Sequence, residues 1–314
     1  MSAAPEWAGT LAERGAAALL PTYARYPIEL ISGRGCRLED SEGRSYLDLV
    51  AGIAVNALGH GHPAIVEAIR RGADGLLHVS NLYWTEPMVR LAERLTEAAG
   101  MDRAFFCNSG AEAVESCLKL ARKSHPDRRR ILCFERSFHG RTLGALSTTA
   151  QPRYQESFLP LLPGVRALPF GDFDAAERAI DEQVALVLVE PIQGEGGVRP
   201  APPGWLELLR RCCDEAGSLL IFDEVQSGLG RTGTFFAYQG EGVMPDAVAC
   251  AKALAGGLPM GALLARGPAA EAFQPGDHAS TFGGGPLVSA AAHAVLDVVL
   301  ADGFLDELRR KGER

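Results

Sequence analysis

From Met101 to about Leu264 the chain repeats one pattern: a short apolar or β-branched run, a loop with Gly, Ser or Asn, then a stretch with its polar residues on one helical face. The runs Arg103–Cys107, Arg130–Phe134, Val184–Glu190, Ser218–Phe222 and Ala247–Ala251 predict strands. Gly110–Lys123, Phe173–Asp181 and Gly204–Ala216 predict helices between them. Such alternation needs crossover connections, so the expected fold is α/β, with a mostly parallel sheet covered by helices on both faces. Runs such as Val184-Ala185-Leu186-Val187-Leu188-Val189 fall far short of the ~18 residues a membrane span needs and read as buried strands.

The first hundred residues follow another pattern. Cys36–Asp40 and Arg44–Leu49 alternate about a turn at Gly43 and predict a β-hairpin. Helices are expected at Pro63–Leu77, with Pro at the first helical position, and at Thr85–Ala99, with Thr85 as cap and Pro87 in the first turn. Near the end, Leu287–Leu300 predicts a buried helix and Asp302–Arg314 an amphipathic one.

Composition narrows the partners. In 314 residues, 47% hydrophobic and 22% charged, there is ample core and no signature of disorder. Lys+Arg 31 against Asp+Glu 39 leaves a net charge of −8, and no basic block exceeds Arg128-Arg129-Arg130, so nucleic acid and anionic membranes lack electrostatic support. No basic stretch precedes an apolar one at the N-terminus, which argues against a secretory signal. Seven cysteines without a Cys-x-x-Cys predict neither a disulfide framework nor a zinc site, and a reducing cytoplasm fits them.

Three places carry candidate chemistry. Asn108-Ser109-Gly110-Ala111-Glu112-Ala113 joins a strand to a helix, and its small residues and free N–H groups suit an anion as well as an ordinary capped turn. Asp223-Glu224 ends a strand, where open α/β sheets bind ligands, and adjacent carboxylates there call for a facing cation. Lys252, alone among small and apolar neighbours after another strand, is the candidate cation; a snorkelling surface lysine is the bland alternative. Gly228-Leu229-Gly230-Arg231-Thr232-Gly233 fits G-x-G-x-x-G, but acidic neighbours precede it and no clear helix follows, so a dinucleotide site is not supported. His60 and His62 lack partners for a metal shell and read as helix-entry residues.

The segment Phe222–Gly233, with Ala251-Lys252-Ala253-Leu254 and Gly257–Ala262, resembles the signature of the class III pyridoxal-phosphate-dependent aminotransferases. The likeness extends through Asn108–Glu115, Ser137-Phe138-His139-Gly140-Arg141-Thr142, Glu190–Gly197 and Ser280-Thr281-Phe282-Gly283-Gly284, nearly the whole chain. Tyr23–Pro27 and Ala51–His60 are most similar to the branch acting on acetylornithine.

The resemblance implies a fold-type-I transferase: residues 1–60 as the N-terminal part of a small α+β domain, 61–290 as the large α/β domain binding pyridoxal 5'-phosphate, and 291–314 as the start of a C-terminal segment. Lys252 would hold the cofactor as a Schiff base and later shuttle a proton at the substrate carbon. Asp223 would pair with the pyridine nitrogen, Gln226 would contact the phenolic oxygen and Phe138 would stack on the ring. Ser109, Gly110 and Ala111 would take the phosphate, with Glu224 and Val225 also cofactor-binding. Thr281 would reach the neighbouring subunit's cofactor, which implies a homodimer.

Arg141, with Ser280 nearby, would bind the carboxylates of N2-acetylornithine and 2-oxoglutarate. Glu195 would mask a second arginine that the family carries beyond the point where this sequence stops. Other ω-amino donors of the class (succinyldiaminopimelate, ornithine, 4-aminobutyrate), an aminomutase and a truncated inactive homologue are the alternatives.

Overall fold

A computed structural model describes residues 9–314. Near the N-terminus, β1 (Leu30–Arg34), β2 (Arg37–Asp40) and β3 (Ser45–Leu47) form an antiparallel sheet; β2 and β3 are the expected hairpin. Asp40 organises its turn: the buried carboxylate accepts from the Arg44 side chain, the Tyr46 hydroxyl and the backbone of Glu42 and Arg44. β1 was not expected; all five of its residues are exposed, so no burial rhythm marks it in the sequence.

The larger sheet contains β4 (Arg103–Cys107), β5 (Arg130–Phe134), β6 (Val165–Leu168) and β7 (Val184–Val189). After a two-stranded ribbon of β8 (Ile192–Gln193) and β9 (Arg199–Pro200) it continues with β10 (Leu219–Asp223), β11 (Ala247–Cys250) and β12 (Gly261–Ala265). The order is β4-β12-β11-β10-β7-β5-β6. All pairings are parallel except those of β12, which runs against both β11 and β4. The stretch 251–260 is too short for a crossover helix, so β12 must return antiparallel.

β7 is buried throughout and its side chains divide between the two faces. Val187 and Val189 join the layer containing Trp205 and Leu209; Leu186 and Leu188 join the layer of Val114 and Leu118. Trp205 anchors the first layer edge-to-face on Phe134 and Phe170, at 4.7 and 4.9 Å between ring centroids.

The helices follow the sequence pattern with shifted ends. Pro63–Ala73 stops before Asp74-Gly75, and the last helix runs Phe304–Gly312, after Gly303 at positive φ. Thr85 does precede helix Glu86–Ala99, but it makes no side-chain cap, and its buried hydroxyl lacks a partner among the described residues. Six cysteines are buried and Cys36 is exposed. Among the described residues no single helix is long and apolar enough to cross a membrane.

Candidate active site

The carboxyl ends of β5, β7, β10 and β11 point to one edge of the sheet, where the loops between crossovers converge. Asp223, the last residue of β10, is only 4% exposed. Its Oδ2 lies 2.7 Å from His139 Nδ1, and its Oδ1 accepts the Val225 N–H at 3.0 Å. His139 is itself buried and held by its backbone N–H, which donates to Thr149 Oγ1 at 2.8 Å. Burial disfavours the imidazolium, but the Asp223 hydrogen bond and the charges of Asp223 and Glu190 outweigh it, so the His139 pKa is raised. Its Nε2 has no partner among the described residues.

The group in direct contact with Asp223 is His139, while Lys252, the expected cation, interacts with Asp223 through its charge. His139 carried no assigned role in the sequence reading, because a histidine inside a loop motif gives no sign of a partner 84 residues away.

Glu224 needs no cation. Fully buried, it accepts the N–H groups of Ala237 and Tyr238 at 2.7 and 2.9 Å and the Ser227 hydroxyl at 3.1 Å. Burial pushes its pKa up to about 7, with these donors opposing. The carboxylate thus closes the loop containing Gly228–Gly233. That run lies in turns before the short helix Ala237–Glu241, so the apparent dinucleotide motif opens no helix.

Lys252 follows β11 at φ +42°, an uncommon conformation for a lysine. Burial lowers its amine pKa, while the charges of Asp223, Glu195 and Glu190 oppose and Arg231 reinforces the fall. A half-buried amine whose proton is held less tightly than that of a solvated lysine is better suited to nucleophilic attack on a carbonyl. Glu190 sits just beyond β7 and accepts the N–H of Phe138 at 3.0 Å and of Gly194 at 3.3 Å. Burial, opposed first by the His139 charge, raises its pKa to about 7.

Ser109 caps helix Gly110–Ser124, its hydroxyl accepting from Glu112 N at 3.2 Å. The N–H groups of Gly110 and Ala111 lie in the first turn, where helical geometry supplies no acceptor. Val225 packs so closely on Gly110 that an added Cβ would lie 2.7 Å from its Cγ1, so this approach requires glycine. Gln226 lies over Gly194, where a methyl group would overlap its side-chain amide. Phe138 meets Tyr154 edge-on at 6.0 Å, and the exposed Arg141 guanidinium lies 3.7 Å from the Tyr154 ring centroid.

Not every expected site residue joins this cluster. Ser280 Oγ accepts from Asn108 Nδ2 at 3.2 Å and from Gly283 N at 3.0 Å. Thr281 is exposed beside Asn81, Tyr83 and Met88, and makes no hydrogen bond among the described residues. Glu195 is exposed near the Lys252 amine. His60 pairs with Asp48 at 2.7 Å, and no group of metal-ligating side chains occurs among the described residues.

The donor set fits a phosphorylated, aromatic aldehyde with a basic ring nitrogen. A buried acid at Asp223, a readily deprotonated amine at Lys252, apolar side chains at Phe138 and Val225, and a helix N-terminus at Gly110 match its four chemical features.

A family model described as Aminotransferase class-III matches residues 21–314. The chain is 54% identical over 294 residues to an acetylornithine aminotransferase of Methanopyrus kandleri, covering 93% of this chain and 75% of the relative. It is 52% identical over 299 residues to one from Agrobacterium fabrum, covering 94% and 75%. Among solved structures, ornithine aminotransferase from Toxoplasma gondii superposes with a TM-score of 0.92 at 34% identity, covering 96% of this chain and 73% of that one. N-acetylornithine aminotransferase from Stenotrophomonas maltophilia gives 0.79 at 39% identity, covering 93% and 73%.

Proposed function

The chain belongs to the class III aminotransferases, pyridoxal-phosphate enzymes, and on that premise we propose how its residues serve the transfer of the δ-amino group of N2-acetyl-L-ornithine to 2-oxoglutarate. The products are N-acetylglutamate semialdehyde and glutamate, and the reaction serves arginine biosynthesis. The observation that carries the chemistry is the buried Asp223 carboxylate, hydrogen-bonded to His139, whose charge acts on the half-buried amine of Lys252. Relatives at 50–54% identity carry the substrate assignment. The ornithine enzyme's higher TM-score reflects the shared shape, at lower identity.

When bound, the cofactor supplies an electron sink for the pair left on the substrate carbon as its proton departs. Asp223 would pair with the pyridine nitrogen and keep it protonated, and His139, hydrogen-bonded to Asp223, orients the carboxylate. Lys252 would anchor the cofactor covalently, and its ε-amine, when free, would take the proton from the substrate carbon. Phe138 and Val225 would pack against the ring, Gln226 would contact its phenolic oxygen, and Ser109, Gly110 and Ala111 would take the phosphate.

Arg141 binds the substrate carboxylate remote from the reacting carbon, with Ser280 nearby, and Glu195 masks a second arginine during the amine half-reaction. Bidentate contact suits its planar fork. The active form is a homodimer in the cytoplasm, in which the partner subunit's Thr281 completes the phosphate site. Supporting the dimer are the exposed Thr281 and the exposed apolar side chains of Leu82, Tyr83, Trp84 and Phe282.

Steady-state kcat/KM with 2-oxoglutarate and a panel of acetylornithine, ornithine, succinyldiaminopimelate and 4-aminobutyrate tests the assignment. Acetylornithine should lead the panel. A lead for another amine reassigns the donor, and no transfer from any of them overturns the reading.

A further inference from the structure

Arg141 is exposed, and among the described residues its guanidinium has no hydrogen-bond or ion-pair partner. A long side chain in that state ordinarily samples many rotamers, and ordering it costs binding free energy. Here it lies on aromatic surface: its Cζ is 3.7 Å from the Tyr154 ring centroid and 5.6 Å from that of Phe138. A guanidinium over a ring face is attracted by the ring quadrupole while the donors at its edge stay free.

Tyr154 is fixed in turn. Its ring meets Phe138 edge-on at 6.0 Å, and Arg153 Cζ lies 4.4 Å from its centroid. Arg153 donates to Gln151 Oε1 at 3.0 Å, and Gln151 Nε2 donates to the Ser137 carbonyl at 3.0 Å. The contacts thus close a circuit from Ser137 through Gln151, Arg153, Tyr154 and Arg141 back to Phe138. The Tyr154 hydroxyl makes no hydrogen bond among the described residues, so the ring face is what the circuit uses.

We propose that Tyr154 is a positioning residue for substrate carboxylates, holding Arg141 extended and pre-ordered over its ring. The proposal rests on the reading of Arg141 as the carboxylate-binding residue. It requires that the ring matter only for ligands that carry a carboxylate.

The test compares the unmodified chain with Tyr154→Phe, Tyr154→Leu and Arg141→Ala. Calorimetry reads the affinity for glutarate, a dicarboxylate with no reacting group, and single-turnover kinetics of the cofactor-loaded enzyme read 1-aminopentane, an amine without a carboxylate. Tyr154→Leu should weaken glutarate binding and raise KM for acetylornithine by roughly two- to five-fold, the range of an exposed cation–π contact, with kcat unchanged. Tyr154→Phe should match the unmodified chain, and 1-aminopentane should react equally with the unmodified chain, Tyr154→Phe and Tyr154→Leu.

Glutarate affinity unchanged in Tyr154→Leu, or an equal loss with 1-aminopentane, would overturn the positioning role. If Arg141→Ala also leaves glutarate affinity unchanged, the reading of Arg141 falls first and the inference with it. Should Tyr154→Leu fail to fold, Tyr154→Met removes the ring face with a longer, unbranched and more adaptable side chain and is read the same way.

Discussion

The edge of the central sheet and the N-terminal part of the chain satisfy their side chains in opposite ways. Around Asp223 nearly every buried polar group is answered within the chain: Asp223 by His139, Glu224 by the Ala237 and Tyr238 amides, Glu190 by the Phe138 and Gly194 amides. The partnerless His139 Nε2 is the exception. In the N-terminal part, Leu49, Leu82 and Trp84 stand 85%, 88% and 89% exposed, and β1 buries nothing. A site whose buried polar groups, His139 Nε2 apart, are satisfied internally thus lies in the same chain as apolar surface that the described residues leave uncovered. The contrast teaches that the two regions are ordered differently: the acid and the amine interact with groups inside the chain, while the apolar side chains and Thr281 stay exposed.

Two substitutions press on that separation, and the largest effect belongs to the internal site. Asp223→Asn should preserve the fold yet lose at least roughly 10²–10³-fold in kcat, the scale for removing one preorganised electrostatic contact. Near-normal kcat would show that the His139–Asp223 pair serves only stability. A smaller change should follow on the exposed side. Trp84→Ser should leave the thermal midpoint of the isolated subunit unchanged and weaken dimerisation by roughly thirty-fold, as for loss of an interface tryptophan. Sedimentation at graded protein concentration reads the shift; an unchanged dimer would place the interface elsewhere.

Much of this was legible from the residue order because the chemistry sits at the ends of recognisable strands. The apolar run Leu219–Phe222 announced Asp223, and Ala247–Ala251 announced Lys252. β6 and β12 were missed: half of β6 is exposed, and β12 opens on glycine after a short connection rather than after a helix. The partners of the two adjacent carboxylates were illegible for a different reason. Adjacent acids predict a nearby compensating charge, but His139 is reached across 84 residues and Glu224 is satisfied by backbone amides, which no side-chain pattern encodes. Arg141 was named from its motif, whereas the Tyr154 ring beneath it emerges only once the loops are folded together.

The central claim is that Lys252, set beside the Asp223–His139 pair, forms the covalent bond to pyridoxal phosphate. Borohydride reduction of the cofactor-loaded protein, followed by peptide mapping, tests it most directly. One irreversibly labelled peptide containing Lys252 is expected, with no label in Lys252→Ala. A label on another lysine, or equal labelling of Lys252→Ala, would contradict it.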